Sequence, residues 1–369
     1  MSPSPGVDLT LVSAPTASVA EGVAFGGSTV LVGATSWADR GLVRDGRFYP
    51  RKTMTATERL GYYTTRLPLA EIATTAGFPP TPQLCQQWVE RTPDGFCFDV
   101  RGWSLLTGAP TMPDSLYPDL VDQVRPSSRD RRRLYSSHLS PEALEECWAR
   151  FAHALGPLAR AGRLGVVILR YPSWVSPRPE AWAELVRARE RLADFRVAVE
   201  LSSPKWFAGA QCDDTLEWLE DHDLGFVCID GPDSGPRATP TVVAATSDIA
   251  VVRFDGRRAV VDEPWTWPYR YDPAELAAWI PRLEELASSA RQVHVLFGNG
   301  WRSDAVDNAG ELLDLLRLAA TDSSLRVSVA QAASGTQAAP GTQAACGTGG
   351  VSGGTSHPIE PMAACTTEP

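Results

Sequence analysis

Eight short apolar runs alternate with stretches of helical spacing between residues 30 and 319, an order that few folds other than a closed α/β barrel satisfy. The runs are VLVGAT (30–35), LAEIA (69–73), FCFDVR (96–101), LGVVILR (164–170), RVAVEL (196–201), LGFVCID (224–230), IAVVRF (249–254) and QVHVLF (292–297). None shows the strict alternation of a strand with one wet face, so each reads as a parallel strand covered on both sides. Between them, helical spacing predicts helices at 56–67, 81–91, 140–162, 178–192, 213–222, 272–290 and 304–320, several opening on Ser, Thr or Asp. The expected fold class is α/β, a single TIM (β/α)₈ barrel. One connection is weak: PDSGPRATPTVVAATS, between the sixth and seventh runs, carries three prolines and has room for at most a short helix.

The barrel is expected to occupy residues 28–326 as one domain, which suits a 369-residue chain with 43% hydrophobic content. Residues 1–27, rich in Ser, Pro, Gly and Ala, predict a flexible lead-in. Residues 327–369 repeat GTQAA and carry only Glu360 and Glu368 as charges, so they bury too little apolar surface to offset ordering entropy and predict a disordered low-complexity tail. A formal net charge of −10 disfavours a nucleic-acid partner, which usually leaves a basic footprint. There is no basic start with an apolar stretch behind it and no run of 18 apolar residues, so a soluble cytoplasmic protein without a membrane partner is expected. Seven cysteines, with no CxxC pair, read as reduced thiols. Nothing in the sequence sets the oligomeric state. The connection 104–139 is long enough to be a functional or moving loop, and its Arg125, Arg129, Arg131, Arg132 and Arg133 read either as a phosphate-binding lid or as solvated charge.

Chemistry in such a barrel gathers at the C-terminal ends of the strands. Glu200, ending an otherwise apolar strand, is the first candidate for an acid or base, because desolvation would raise its pKa; its alternative is a structural ion pair with Arg170 or Arg253. Glu71 and Asp230 are weaker candidates of the same kind. Trp37, Arg101, Arg170, Trp206, Arg253, Asp255, Tyr271, Asn299 and Trp301 are the candidate substrate-binding residues, with Arg253 able to clamp an anion bidentately. Of twelve tryptophans, Trp37, Trp103, Trp174, Trp206, Trp265, Trp267 and Trp301 fall after strands, where they either stack on a ligand or pack the loops. The helical ones, Trp88, Trp148, Trp182, Trp218 and Trp279, are expected in the core.

None of the five histidines ends a strand, so an imidazole-rich zinc site is not expected. No cofactor is expected, although a carboxylate-bound magnesium ion among Glu71, Glu200 and Asp230 stays open. Without GxGxxG after the first strand, a P-loop, GxSxG or HExxH, nucleotide-dependent redox chemistry and triad hydrolysis lose their support.

Several segments together resemble the YecE-like family, domain of unknown function 72. They are GATSWADRG with RFYP (47–50), ERLGYYTTRLPLAEI (58–72), WVERTPDGFCFDVR (88–101), LGPLARAGRLGVVILRYPSW (155–174), VAVELSSPKW (197–206), ATPTVVAATSDIAVVRFDGR (238–257), YDPAELAAW (271–279) and VHVLFGNGWRSDAVDNA (293–309). The resemblance implies a TIM barrel without an agreed activity. It also implies departures: the family's Thr-His after the third strand is Thr107 and Gly108 here, and its Arg-Phe-His-Gly-Arg is Arg253 to Arg257 with Asp255 in the histidine's place. The family's Gln at the end of strand four is Arg170, its Glu-Phe-Arg after strand five is Glu200, Leu201 and Ser202, and its Phe-Asn-Asn is Phe297, Gly298 and Asn299. What remains of the family's polar mouth is Trp37, Tyr49, Glu71, Thr107, Glu200, Trp206, Asp230, Arg253, Tyr271, Asn299 and Asn308.

Three functions compete at this point. One is an enzyme acting on a carbohydrate-like or phosphorylated small molecule by carboxylate acid/base chemistry. The second is a catalytically silent barrel that binds a ligand or protein segment. Metal-dependent phosphodiester or sugar chemistry is the third, by analogy with other barrels.

Overall fold

The computed structural model describes residues 20–232, 238, 240–257 and 268–321. All of them fall in one compact unit, Met1–Ala339. The tail expected at 327–369, most of the lead-in, and Trp265 and Trp267 lie outside the described residues.

The chain opens on β1 (Val23–Phe25) and β2 (Ser28–Ala34), then α1 (Arg40–Asp45), α2 (Ala56–Thr64), β3 (Leu69–Ile72) and α3 (Pro82–Glu90). It continues through β4 (Cys97–Arg101), α4 (Pro141–Arg160), β5 (Leu164–Tyr171), α5 (Pro179–Arg191), β6 (Val197–Leu201), α6 (Gln211–Asp221) and β7 (Gly225–Asp230). Last come β8 (Ile249–Phe254), α7 (Pro273–Ala277), α8 (Ile280–Ser289), β9 (Gln292–Phe297) and α9 (Asp304–Thr321). Strands β2 to β9 pair in sequence order, all parallel, and β2 pairs back to β9 to close an eight-stranded barrel. This is the expected TIM fold. Between β7 and β8 no helix occurs among the described residues, as the prolines imply.

Strand β1 falls inside the stretch expected as a lead-in and corrects it there. It runs antiparallel to β2, with Val23 opposite Val30 and Phe25 opposite Ser28. The two residues between them, Gly26 and Gly27, have φ of 60° and 91°, a left-handed pair that only a turn of primed type accepts and glycine supplies without strain. The hairpin occupies the lower edge of β2, since β3 pairs only with Gly33 and Ala34 higher up.

Helix boundaries follow local chemistry. Thr55 caps α2 in a reciprocal capping box with Glu58, Ser140 caps α4 ahead of Pro141, and Asp272 caps α7 with Glu275. The helix expected over 272–290 is broken into α7 and α8 around Ala278 and Trp279, because Pro281 has no N–H to give and its ring crowds the carbonyl four residues earlier.

Side chains alternate between two cores. Those facing outward from the strands, such as Val32, Phe98, Val167 and Val252, pack with the helices in a large shell. The inward-facing set, including Leu31, Leu69, Val166, Ile168, Val227, Val251 and Leu296, fills the barrel itself, so the interior is a packed core rather than a pore. The connection 104–139 is packed rather than loose. It makes five short 3₁₀ turns between Ser104 and His138, buries Trp103, Leu105, Leu116, Leu120 and Leu134, and is tied to α4 by Arg150 donating to both oxygens of Asp119 at 2.8 and 2.6 Å. Its five arginines are exposed, and Arg129 donates to the carbonyls of Val124 and Asp122 within the same connection.

Candidate functional site

The inward alternation that fills the barrel with Leu and Val ends, at the top of five strands, in charge. Glu71 on β3, Arg101 on β4, Arg170 on β5, Glu200 on β6 and Arg253 on β8 each sit two residues beyond an inward position (Leu69, Asp99, Ile168, Ala198 and Val251), so period-two geometry carries them into one cluster. Glu71, Glu200 and Arg253 are buried. Arg253 forks onto Glu71 through Nη1 (2.9 Å) and Nη2 (3.0 Å), and Arg101 Nε donates to the same carboxylate at 2.8 Å. Both Glu71 oxygens are thereby occupied.

Glu200 is held differently. Arg170 Nε lies 2.9 Å from its Oε1, Arg253 Nε 2.9 Å and Arg101 Nη2 3.7 Å from its Oε2. These are ion pairs by distance, yet among the described residues neither Glu200 oxygen, nor Arg253 Nε, has an aligned hydrogen-bond partner. The carboxylate is electrostatically satisfied and directionally open. Burial alone would raise its pKa, as expected from the sequence, but Arg170, Arg253 and Arg101 outweigh burial and hold it at about 2. This corrects the expectation of a raised pKa, and the ion pairs with Arg170 and Arg253 are the alternative that the sequence offered. Arginines pull Glu71 down as well, against its burial.

Asp255, placed with the substrate-binding residues, is the carboxyl whose pKa goes up. Desolvation by the surrounding protein is the first cause, opposed by Arg253 and reinforced by Glu200. Its side chain is nevertheless exposed at the surface. Its room comes from Gly298 at the end of β9, where a Cβ would lie 2.4 Å from Asp255 Oδ1. Three carboxylates and three arginines therefore meet at the mouth.

The remaining candidates divide. Asp230 accepts from Arg257 (2.8 and 2.6 Å), Tyr271 Oη (2.9 Å) and the buried Trp279 Nε1 (2.6 Å), so it anchors the β8–α7 segment and is not a free acid or base. Tyr271 is buried and its hydroxyl accepts from Gly256 N (2.9 Å) while donating to Asp230, which makes it part of the same anchor. Trp206 is fully buried and donates to Val175 O at 2.8 Å, so its ring packs the loop after β6. Trp103 is fully buried too. Trp37 is half-buried against Trp88 and Phe98, on the helix side of β4. Trp301 is half-buried and Trp174 is 57% exposed. Of the helical tryptophans, Trp88, Trp148 and Trp279 are buried and Trp182 and Trp218 half-buried against the core.

Asn299 donates to Tyr269 O and Asn308 Oδ1 while its own buried Oδ1 has no partner among the described residues. Asn308 in turn accepts from Tyr271 N and donates to Tyr271 O, locking the segment that Asp230 anchors. The magnesium set left open by the sequence does not assemble. Among the described residues, the group of three or more His, Cys, Asp or Glu side chains placed to share a metal is Cys97, Asp99 and His294, deep in the barrel, and not Glu71, Glu200 and Asp230. In sequence Asp99 reads as one of the mouth positions of its strand and His294 as too early in its own strand to be a ligand, so their pairing lower in the barrel was not foreseen.

Comparison with known proteins agrees with this architecture. A family model described as protein of unknown function DUF72 matches residues 31–333. The UPF0759 protein YunF of Bacillus subtilis (strain 168) is 25% identical over 300 residues, covering 78% of this chain and 94% of that protein. Among solved structures, a DUF72 family protein from Enterococcus faecalis V583 superposes with a TM-score of 0.63 at 21% identity, covering 78% of this chain and 95% of the other. One from Thermotoga maritima MSB8 gives 0.60 at 22% identity, covering 78% and 99%. These structural likenesses carry the fold.

Proposed function

The chain belongs to the DUF72 family, and from that premise we propose that its charged mouth is an active site for a phosphorylated or other anionic, carbohydrate-like small molecule. The observation that carries this reading is the opposite displacement of two carboxyls among three arginines. Glu200 is ionised down to about pH 2, while Asp255 beside the same charges is pushed up. Environments that separate two carboxyls in this way assign acid/base roles. Asp255 then moves the proton, and Glu200 stays ionised to face positive charge developing on the substrate.

Arg170 supplies the anion contact. Its side chain is 44% exposed and only Nε is engaged by Glu200, so the Nη edge is available. Asp255 stands where the family pattern carries a histidine, and Gly108 where it carries another, which fits an altered substrate rather than an abandoned site. The exposed Trp174, four residues beyond Arg170, offers a ring for a sugar face. The double occupation of Glu71 favours the second reading, a barrel that binds without turnover.

Thermal-shift and product assays with inorganic phosphate, glucose and a panel of sugar phosphates test both. The proposal expects stabilisation by phosphorylated sugars, lost in Arg170→Met, and turnover lost in Asp255→Asn with binding kept. Binding without turnover establishes the silent barrel. Stabilisation by glucose but by no phosphorylated probe defeats the anion assignment.

A further inference from the structure

The mouth does not account for the polar groups lower in the same barrel. Cys97 and Asp99 both face inward from β4, and His294 faces inward from β9. Asp99 and His294 are fully buried, and the ring Nδ1 lies 2.9 and 3.1 Å from the two Asp99 oxygens. A thiol, a carboxylate oxygen and an imidazole nitrogen thus lie within 4.8 Å of one another.

We propose that Cys97, Asp99 and His294 form a zinc site, with a coordination position open toward the cavity at the N-terminal face of the barrel. Three independent features support it. His294 Nε2 is buried and has no hydrogen-bond partner among the described residues, an orphaned state that binding an ion through this nitrogen would resolve. The space among the three groups is kept clear by Gly165, where a Cβ would lie 2.5 Å from Asp99 Oδ1, 2.6 Å from Cys97 Sγ and 2.6 Å from His294 Cε1. A cavity of about 560 Å³, lined by Cys97, Gly165, Arg196 and Gln292 among others, leads from outside to that space.

The donor set selects the ion. Sulfur with nitrogen and one oxygen suits borderline-soft zinc and not magnesium or calcium, which take oxygen alone. Charge agrees: a thiolate, a carboxylate and a neutral imidazole around a dication sum to zero, which a buried site requires. Binding would release the Cys97 thiol proton to solvent. Tetrahedral bonds of about 2.0–2.3 Å place ligand atoms about 3.3–3.8 Å apart, so closure needs a contraction on the order of 1 Å. With Nε2 on the ion, Asp99 orients the ring from behind through Nδ1, as carboxylates commonly do for metal-bound histidine; as a direct ligand it would share the ion with Nδ1 instead.

The test uses the full chain, stripped with chelator and then given zinc or cobalt alone. The proposal expects one zinc per chain retained through gel filtration and, with cobalt, a thiolate charge-transfer band together with tetrahedral ligand-field bands. Zinc should protect Cys97, mapped by mass spectrometry, from iodoacetamide. Cys97→Ser should lose the charge-transfer band, and His294→Gln should weaken zinc binding at least about tenfold. Equal alkylation of Cys97 with and without zinc overturns the proposal. So does a Cys97→Ser protein that keeps both the ion and the band, because the metal then sits on another cysteine. Should a variant fail to fold, protection of Cys97 in the unmodified chain decides alone.

Discussion

Replacing Arg253 with Met removes the hub of the mouth while nearly keeping its volume. Arg253 is 1% exposed, makes two hydrogen bonds to Glu71 and brings Nε to 2.9 Å from Glu200, so its loss leaves two buried carboxylates with only Arg101 and Arg170 against them. Breaking a buried pair from one side costs roughly 3–5 kcal/mol, chiefly because the remaining charge is stranded. For a domain of this size a kilocalorie corresponds to about 2–3 °C, so the thermal midpoint should fall by roughly 10 °C. Arg253→Met combined with Glu71→Met removes the fork from both ends, and the double variant should lie at least about 2 kcal/mol above the sum of the singles. Urea titrations of the four proteins measure this directly, provided the slope is unchanged. A single-variant cost under about 1 kcal/mol, or strict additivity, would show that the fork holds no fold energy and that the mouth is arranged for a ligand alone.

Acid should act through Glu200. Its folded pKa of about 2 lies below the ordinary glutamate value of 4.5, so its contribution is complete above about pH 4.5 and is lost as pH falls toward 2; linkage makes it about 3 kcal/mol, and a stability curve flat across that window contradicts the assignment. Glu200→Gln removes a charge that raises Asp255, so the Asp255 pKa should fall in a ¹³C carboxyl titration, and an unchanged or higher value means the two do not interact. Asp230→Ala strands the indole N–H of Trp279 and the guanidinium of Arg257, which should cost on the order of 3 kcal/mol by denaturant titration; a loss below about 0.5 kcal/mol returns Asp230 to the list of free mouth carboxylates.

The barrel was legible because its strands are buried on both faces and its helices carry their own caps. All eight barrel strands fall within two residues of where the apolar runs place them, and β8 and β9 coincide with IAVVRF and QVHVLF. Strand β1 was not legible, since VAF is too short to stand out and its pairing depends on two left-handed glycines that composition alone reads as a loose end. At the site, strand-end position found Glu71, Arg101, Arg170, Glu200, Arg253 and Asp255. It could not rank them, because a pKa depends on which neighbours arrive from strands a hundred residues away. Desolvation was foreseeable at Glu200, and so was one ion pair with Arg170 or Arg253, whereas the convergence of both with Arg101 was not. Trp206 and Tyr271 misled for the opposite reason: an aromatic after a strand looks the same in sequence whether it lines the mouth or roofs it.

One strand shows why the polar interior is organised as it is. In β4 the outward positions Phe98 and Val100 are buried among the helices, while the inward positions Cys97, Asp99 and Arg101 are all polar. A barrel strand with a polar inward face must find a partner at each level, or leave a buried polar group unsatisfied. Arg101 meets Glu71 and Glu200 at the top, and Asp99 meets His294 and the backbone N–H of Val166 below. Inward apolar residues from the other strands, Ile168 and Leu69 among them, fill the space around these groups, so each cluster is enclosed mainly by carbon. A low-dielectric surround of that kind strengthens every paired charge and penalises every unpaired one. The same packing that makes the upper network costly to break also makes an unpartnered His294 Nε2 conspicuous below it.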